Sequence, residues 1–83
     1  MTVQTWTLDL CFRGPRCELQ TTRSLNDADD GMLRATLEEL VQQRLGRSPK
    51  NLADWSMLVR DPHTFGVRAK VEVDRSGRTV VTR

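Results

Sequence analysis

Over residues 65–74 the chain alternates between apolar and polar side chains. Phe65, Val67, Ala69, Val71 and Val73 fall on one side, and Arg68, Lys70, Glu72 and Asp74 on the other. An extended backbone points successive side chains to opposite faces, so this run reads as a strand with one dry face and one wet face. Residues 3–12 repeat the pattern, with Trp6, Leu8, Leu10 and Phe12 on one face and Thr5, Thr7, Asp9 and Cys11 on the other. Two such strands need a cover for their apolar side. A chain of 83 residues has room for a single small core and for one covering layer.

The remaining elements fit between these two runs. Arg13-Gly14-Pro15-Arg16 reads as a turn. Residues 17–23 resume the alternation, with Cys17, Leu19 and Thr21 expected inward and Glu18, Gln20 and Thr22 outward. The opening is therefore a β-hairpin. Ser24-Leu25-Asn26-Asp27 is rich in helix-capping residues, and Asp27, Asp29 and Asp30 place negative charge where a helix start favours it. Leu33, Leu37, Leu40 and Val41 then recur at helical spacing, and Gly46 suits the left-handed cap after Leu45. The helix is expected over residues 27–45, with i,i+4 ion pairs Asp30–Arg34 and Arg34–Glu38. Arg44 falls in phase with the apolar stripe, and is expected to lay its stem over the core edge with its charge in water. Arg47-Ser48-Pro49-Lys50-Asn51 reads as a connection, with a single helical turn capped by Ser48 and Pro49 and running through Ala53 as the alternative. Trp55, Met57 and Val59 alternate with Ser56, Leu58 and Arg60 as a third strand. Asp61-Pro62-His63-Thr64 forms the next turn, Arg75-Ser76-Gly77 a tight hairpin turn, and residues 78–82 a short fifth strand.

The order is β-β-α-β-β-β in one domain over residues 1–83. The expected class is α+β, a two-layer sandwich with one amphipathic helix on one face of a mostly antiparallel sheet. Over residues 3–46 the hairpin followed by a helix resembles the first half of the ubiquitin-like β-grasp superfold. The likeness is topological. The chain ends Val80-Val81-Thr82-Arg83 rather than Gly-Gly, so the resemblance implies no carrier role of the kind that needs a terminal Gly-Gly.

Charge and composition exclude more than they assign. Thirteen Lys and Arg face eleven Asp and Glu, for a net charge of +2, which is too mild to imply nucleic acid by itself. The cations are nearly all arginine, with lysine only at positions 50 and 70. Arginine favours planar contacts with carboxylate or phosphate, and the same bias arises from a GC-rich gene. No apolar run approaches a membrane span. The start, Met-Thr-Val-Gln-Thr-Trp-Thr, has neither a basic region nor an apolar one. A cytoplasmic chain without membrane contact is the expectation, and disulfides are rare in that compartment.

Each chemistry-bearing residue has a plain structural explanation. Cys11 and Cys17 fall on opposite faces if the hairpin is regular, which speaks against a bridge, and only a bulge at Gly14 would realign them. Their spacing matches no zinc pattern. Cys11, on the polar face near Arg13, is the thiol expected to be the more reactive. His63 is the sole histidine and lies in a turn with no nucleophile motif beside it. The carboxylates at 27, 29, 30, 38 and 39 suit a helix start and a wet helix face, and do not complete a calcium loop. Trp6 and Trp55 are in phase with the core. No cofactor or metal is expected.

The function expected is a non-enzymatic protein-interaction module, contacting a protein partner or a second copy of itself. The candidate surface is Leu58, Arg60, Arg68, Lys70, Arg78 and Val80, on the uncovered face and its turns, with either Val80 or Val81 joining Leu58 in a small apolar spot. The alternative is a nucleic-acid-binding accessory protein using an arginine-bearing sheet face. An enzyme or redox protein built on Cys11 or His63 is the third reading.

Overall fold

The computed structural model describes residues 3–83. Five strands form one antiparallel sheet: β1 (Gln4–Phe12), β2 (Arg16–Leu25), β3 (Trp55–Arg60), β4 (Val67–Val73) and β5 (Thr79–Thr82). Their order across the sheet is β2-β1-β3-β4-β5, and every pairing is antiparallel. One helix, α1 (Asp30–Leu45), covers one face, and a single 3-10 turn (Leu52–Asp54) precedes β3. This is the α+β arrangement and element order expected. The opening hairpin and the helix after it are present. After the helix, the chain lays β3 beside β1 and adds β4 and β5 outward.

The core is the seam between helix and sheet. Leu33, Leu37, Leu40 and Val41 of α1 are fully buried against Leu8, Leu10, Met57, Val59 and Val71. Trp6 and Trp55 are buried at two margins of this cluster, and Phe12 stacks obliquely on Trp55 with ring centroids 4.8 Å apart. Val81 packs on the core while Val80 is exposed, which settles the facing of β5.

The helix starts three residues later than expected. Asp29 is the N-cap, its carboxylate accepting from the Met32 N–H at 3.0 Å. Asn26 and Asp27 lie before it, and the Asn26 side chain accepts from the Ala28 N–H. Short polar side chains compete with the helix for backbone partners, and here that competition holds 26–28 in a turn. Gly46 ends the helix in the left-handed conformation, as expected, with φ 72°. Asn51, not Ser48, caps the 3-10 turn, accepting from the Ala53 N–H at 3.1 Å.

Two bulges change the facing of the strands. In β2, Leu10 pairs with Leu19 but Cys11 pairs with Cys17, which leaves Glu18 as an extra residue. In β4, Val59 pairs with Ala69 but Arg60 pairs with Val67, which leaves Arg68 unpaired. Each insertion shifts side-chain parity by one beyond it. Four expectations fail for this reason. Glu18 and Arg68 turn to the helix side. Cys17 and Val67 turn away from the core. Phe65 lies outside the strand altogether, in the loop after Arg60.

The extra charges meet the helix and its approach. Glu18 pairs with Arg44 in the last helical turn, at 3.2 Å. Arg68 pairs with Asp27 ahead of the first turn, at 3.3 Å, and its guanidinium lies 5.9 Å from the Trp6 ring. Arg34 pairs with Glu38 as expected and also donates to Gly77 O and Thr79 Oγ1. Asp30 pairs with Arg83 instead of Arg34. Exposed pairs of this kind add well under 1 kcal/mol each, so they orient the helix more than they stabilise it.

The bulge in β4 makes a direct prediction. Val71→Ala removes fully buried methyl groups and should destabilise the protein by about 1–3 kcal/mol. Val67→Ala, at a position that regular alternation from Val71 would also place in the core, should change stability by no more than about 0.5 kcal/mol in the same denaturation series.

Candidate functional site

The helix-free face is the candidate surface. Its rows follow from the register: Thr7, Asp9 and Cys11 from β1, Thr22, Gln20 and Cys17 from β2, Arg60, Leu58 and Ser56 from β3, then Val67, Lys70 and Glu72 from β4. No helix covers these residues, yet Thr7, Asp9 and Cys11 are buried. They lie on β1, which has a paired strand on each side.

Asp9 organises the middle of this face. It is 7% exposed, and each carboxylate oxygen has its own partner. Gln20 Nε2 donates to Oδ1 at 2.7 Å, and Arg60 Nε donates to Oδ2 at 2.7 Å. The second guanidinium arm, Nη1, donates to the carbonyl of Phe65 at 2.9 Å. One carboxylate therefore ties β2 to β1 and β1 to β3, and its arginine partner holds the loop beyond. A nearly buried charge is tolerated only with such partners.

That loop, residues 61–66, is tightly determined. The Asp61 carboxylate accepts from the N–H groups of His63 and Thr64, at 2.8 and 3.0 Å. Phe65 N–H donates to Asp61 O, and Asp61 N–H to Gly66 O. Inside this frame Phe65 takes φ 60°, a left-handed conformation that disfavours a bulky aromatic residue. Phe65 and Val67 are 52% and 55% exposed. Val3, 56% exposed, precedes the start of β1, which runs beside the end of β3. Among the described residues, three of the four exposed large apolar side chains therefore lie toward one end of the sheet. The fourth, Val80, is on β5.

Of the residues singled out in the sequence, Leu58, Arg60, Lys70 and Val80 lie on the helix-free face. Leu58 and Lys70 are direct cross-strand neighbours. Val80 sits opposite Glu72, so the Lys70–Glu72 ion pair (3.0 Å) separates it from Leu58 and the expected apolar spot is split. Arg68 leaves this face because of its bulge. Arg78 is in the β4–β5 turn, where its N–H donates to Asp74 Oδ1. Regular alternation puts Phe65 and Val67 on the core side, and both are instead exposed. The signal available in the sequence was Gly66, a turn residue inside the alternating run.

The two thiols also exchange roles. Cys11 is buried, and burial pushes its thiol above the usual range, aided by the neighbouring Cys17 and Asp9. Cys17 is exposed on the edge strand β2. His63 follows the far end of β3, whereas Cys11 pairs with Ser56 near its start. Four strand residues, roughly 13 Å, separate those ends, so the two do not meet as nucleophile and base.

Positive charge is largely neutralised within the chain. Nine of the thirteen Lys and Arg residues pair with carboxylates of this protein. Among the described residues no cluster of three or more metal-ligating side chains occurs, and no helix is long and apolar enough to cross a membrane. No protein-family model matches the chain, and no curated protein or solved structure matches it.

Two predictions test this geometry. Asp9→Ala leaves Arg60 and Gln20 without their acceptor and should destabilise the fold by about 1–3 kcal/mol in urea. The second concerns acid. Hydrogen bonds from Thr64 and His63 hold Asp61 below the usual carboxylate range, and those from Ser76 and Arg78 do the same for Asp74. A lowered folded value means that the contribution to stability is present above about pH 4, where the unfolded carboxylates ionise, and is lost as pH falls through the lower folded values. The Asp61→Ala, Asp74→Ala double variant should show a flatter fall in stability over that acid range. An unchanged slope contradicts the assignment.

Proposed function

We propose that this domain is a non-enzymatic protein-interaction module, and that it works through the end of the sheet formed by Val3, Phe65 and Val67. The observation that carries the reading is Phe65. A half-exposed aromatic held at positive φ adds little to the core, and its backbone conformation costs on the order of 1 kcal/mol. Such a residue on a hydrogen-bonded loop is a preorganised anchor of the kind that dominates protein interfaces. Arg60 and Asp61 hold the anchor from below. Leu58 and Lys70 extend the same face, and Val80 and Arg78 mark its far margin.

The alternative, a nucleic-acid accessory role on an arginine-bearing face, has less support. Phosphate affinity depends on concentrated unpaired cations. Here Arg60 and Lys70 face carboxylates, and Arg68 is turned to the helix side. The location proposed is the cytoplasm.

Phe65→Asn separates display from folding, because asparagine tolerates the left-handed region better than phenylalanine. The Phe65→Asn, Val67→Thr variant should be at least as stable as the parent chain. It should also lose protein association, read by sedimentation from low micromolar to submillimolar concentration and by binding to a purified interacting protein. A wild-type chain that stays monomeric, binds no protein and retards DNA or RNA at about 50 mM salt overturns the reading in favour of nucleic acid.

A further inference from the structure

We propose that Cys11 and Cys17 form a reversible redox pair, closing to a cross-strand disulfide on the helix-free face by exchange with a small-molecule disulfide of the glutathione type. The register carries this. The bulge at Glu18 makes the two cysteines direct partners across the β1–β2 hairpin and turns both to the same face. Directly opposed residues of antiparallel strands have Cα atoms ~4.5–5.5 Å apart, and a disulfide accepts ~4.4–6.8 Å, so cross-strand partners fall within bridging range.

In the reduced protein each thiol donates to a carbonyl on its own strand, Cys11 to Asp9 O and Cys17 to Leu19 O. Because the strands run in opposite directions, both thiols lean the same way along the hairpin. Rotation about Cα–Cβ releases these weak bonds and brings the sulfurs together.

The two thiols are unequal, and their inequality sets the order of events. Cys17 is exposed on the edge strand and open to a bulky disulfide, whereas Cys11 is shielded from solvent. The Cys17 thiol loses its proton, and its thiolate attacks one sulfur of oxidised glutathione. The glutathione S–S bond breaks, a Cys17–glutathione bond forms, and one glutathione leaves as a thiolate that takes up a proton. Cys11 then loses its proton and attacks Cys17 Sγ. The Cys11–Cys17 bond forms and the second glutathione leaves. Two electrons pass from the cysteine pair to the oxidant, and reduced glutathione in excess reverses both steps. Burial raises the Cys11 thiol, so the second step is the slower one and quickens as pH rises. The bridge closes a short loop and so removes less chain entropy than a long-range disulfide would.

The test is to equilibrate the full chain, without oxygen, in buffers spanning oxidised to reduced glutathione, then trap free thiols by alkylation and map the products by mass. The expected product is a monomer with an internal Cys11–Cys17 bond that disappears when the ratio is reversed. Cys11→Ala should stop at the Cys17–glutathione adduct. Cys17→Ser should keep Cys11 reduced under the same exposure, with circular dichroism confirming that both variants are folded. The proposal is overturned if the wild-type chain accumulates only the Cys17 adduct or only intermolecular dimers. The wild-type map decides this whether or not the variants fold.

Discussion

The fold depends on keeping one sheet face dry. A single helix supplies the whole cover, and its buried stripe of Leu33, Leu37, Leu40 and Val41 meets the inward residues of β1, β3 and β4. Strand side chains alternate, so every residue's environment depends on its parity relative to that seam. Parity is broken twice, at Glu18 and Arg68. Both extra residues are charged, and both swing toward the helix side, where Arg44 and Asp27 await them. The bulges thus turn two potential errors of register into a pair of opposite-sign contacts flanking the helix.

The same two insertions shape the uncovered face. Beyond Glu18, the cysteine that would have entered the core stands opposite its partner thiol. Beyond Arg68, Val67 turns outward beside the loop that displays Phe65. Between these two ends, Asp9 binds Gln20 and Arg60 and gives the face a rigid polar centre. A surface with a fixed centre, its cations matched to carboxylates and an apolar display at one end suits a protein contact better than a phosphate track.

Much of the fold was legible because period two and helical spacing are strong signals. The helix stripe, the left-handed cap at Gly46, the inward Trp6 and Trp55 and all five strands follow from them. What escaped was local. A bulge leaves no mark on hydrophobic periodicity when the extra residue is polar, as Glu18 and Arg68 are, so alternation was carried straight through both. The helix start escaped for a related reason: Asn26, Asp27 and Asp29 all suit a cap, and only the hydrogen bond from Met32 N–H to Asp29 distinguishes them. The candidate surface was half legible. Leu58, Arg60, Lys70 and Val80 follow from parity, whereas Phe65 and Val67 depend on the bulge and on a positive φ that no composition rule reveals.

The most direct test of this account is the native-state alkylation rate of each thiol in the reduced protein, resolved by mass mapping. With a bulge at Glu18, Cys17 on the exposed edge should react quickly. Cys11 should stay protected until the protein unfolds. An unbulged hairpin would turn Cys17 into the core and leave Cys11 as the accessible thiol. Rapid labelling of Cys11 with Cys17 protected would contradict the bulge at Glu18 and, with it, the cysteine pair and the contact of Glu18 with Arg44.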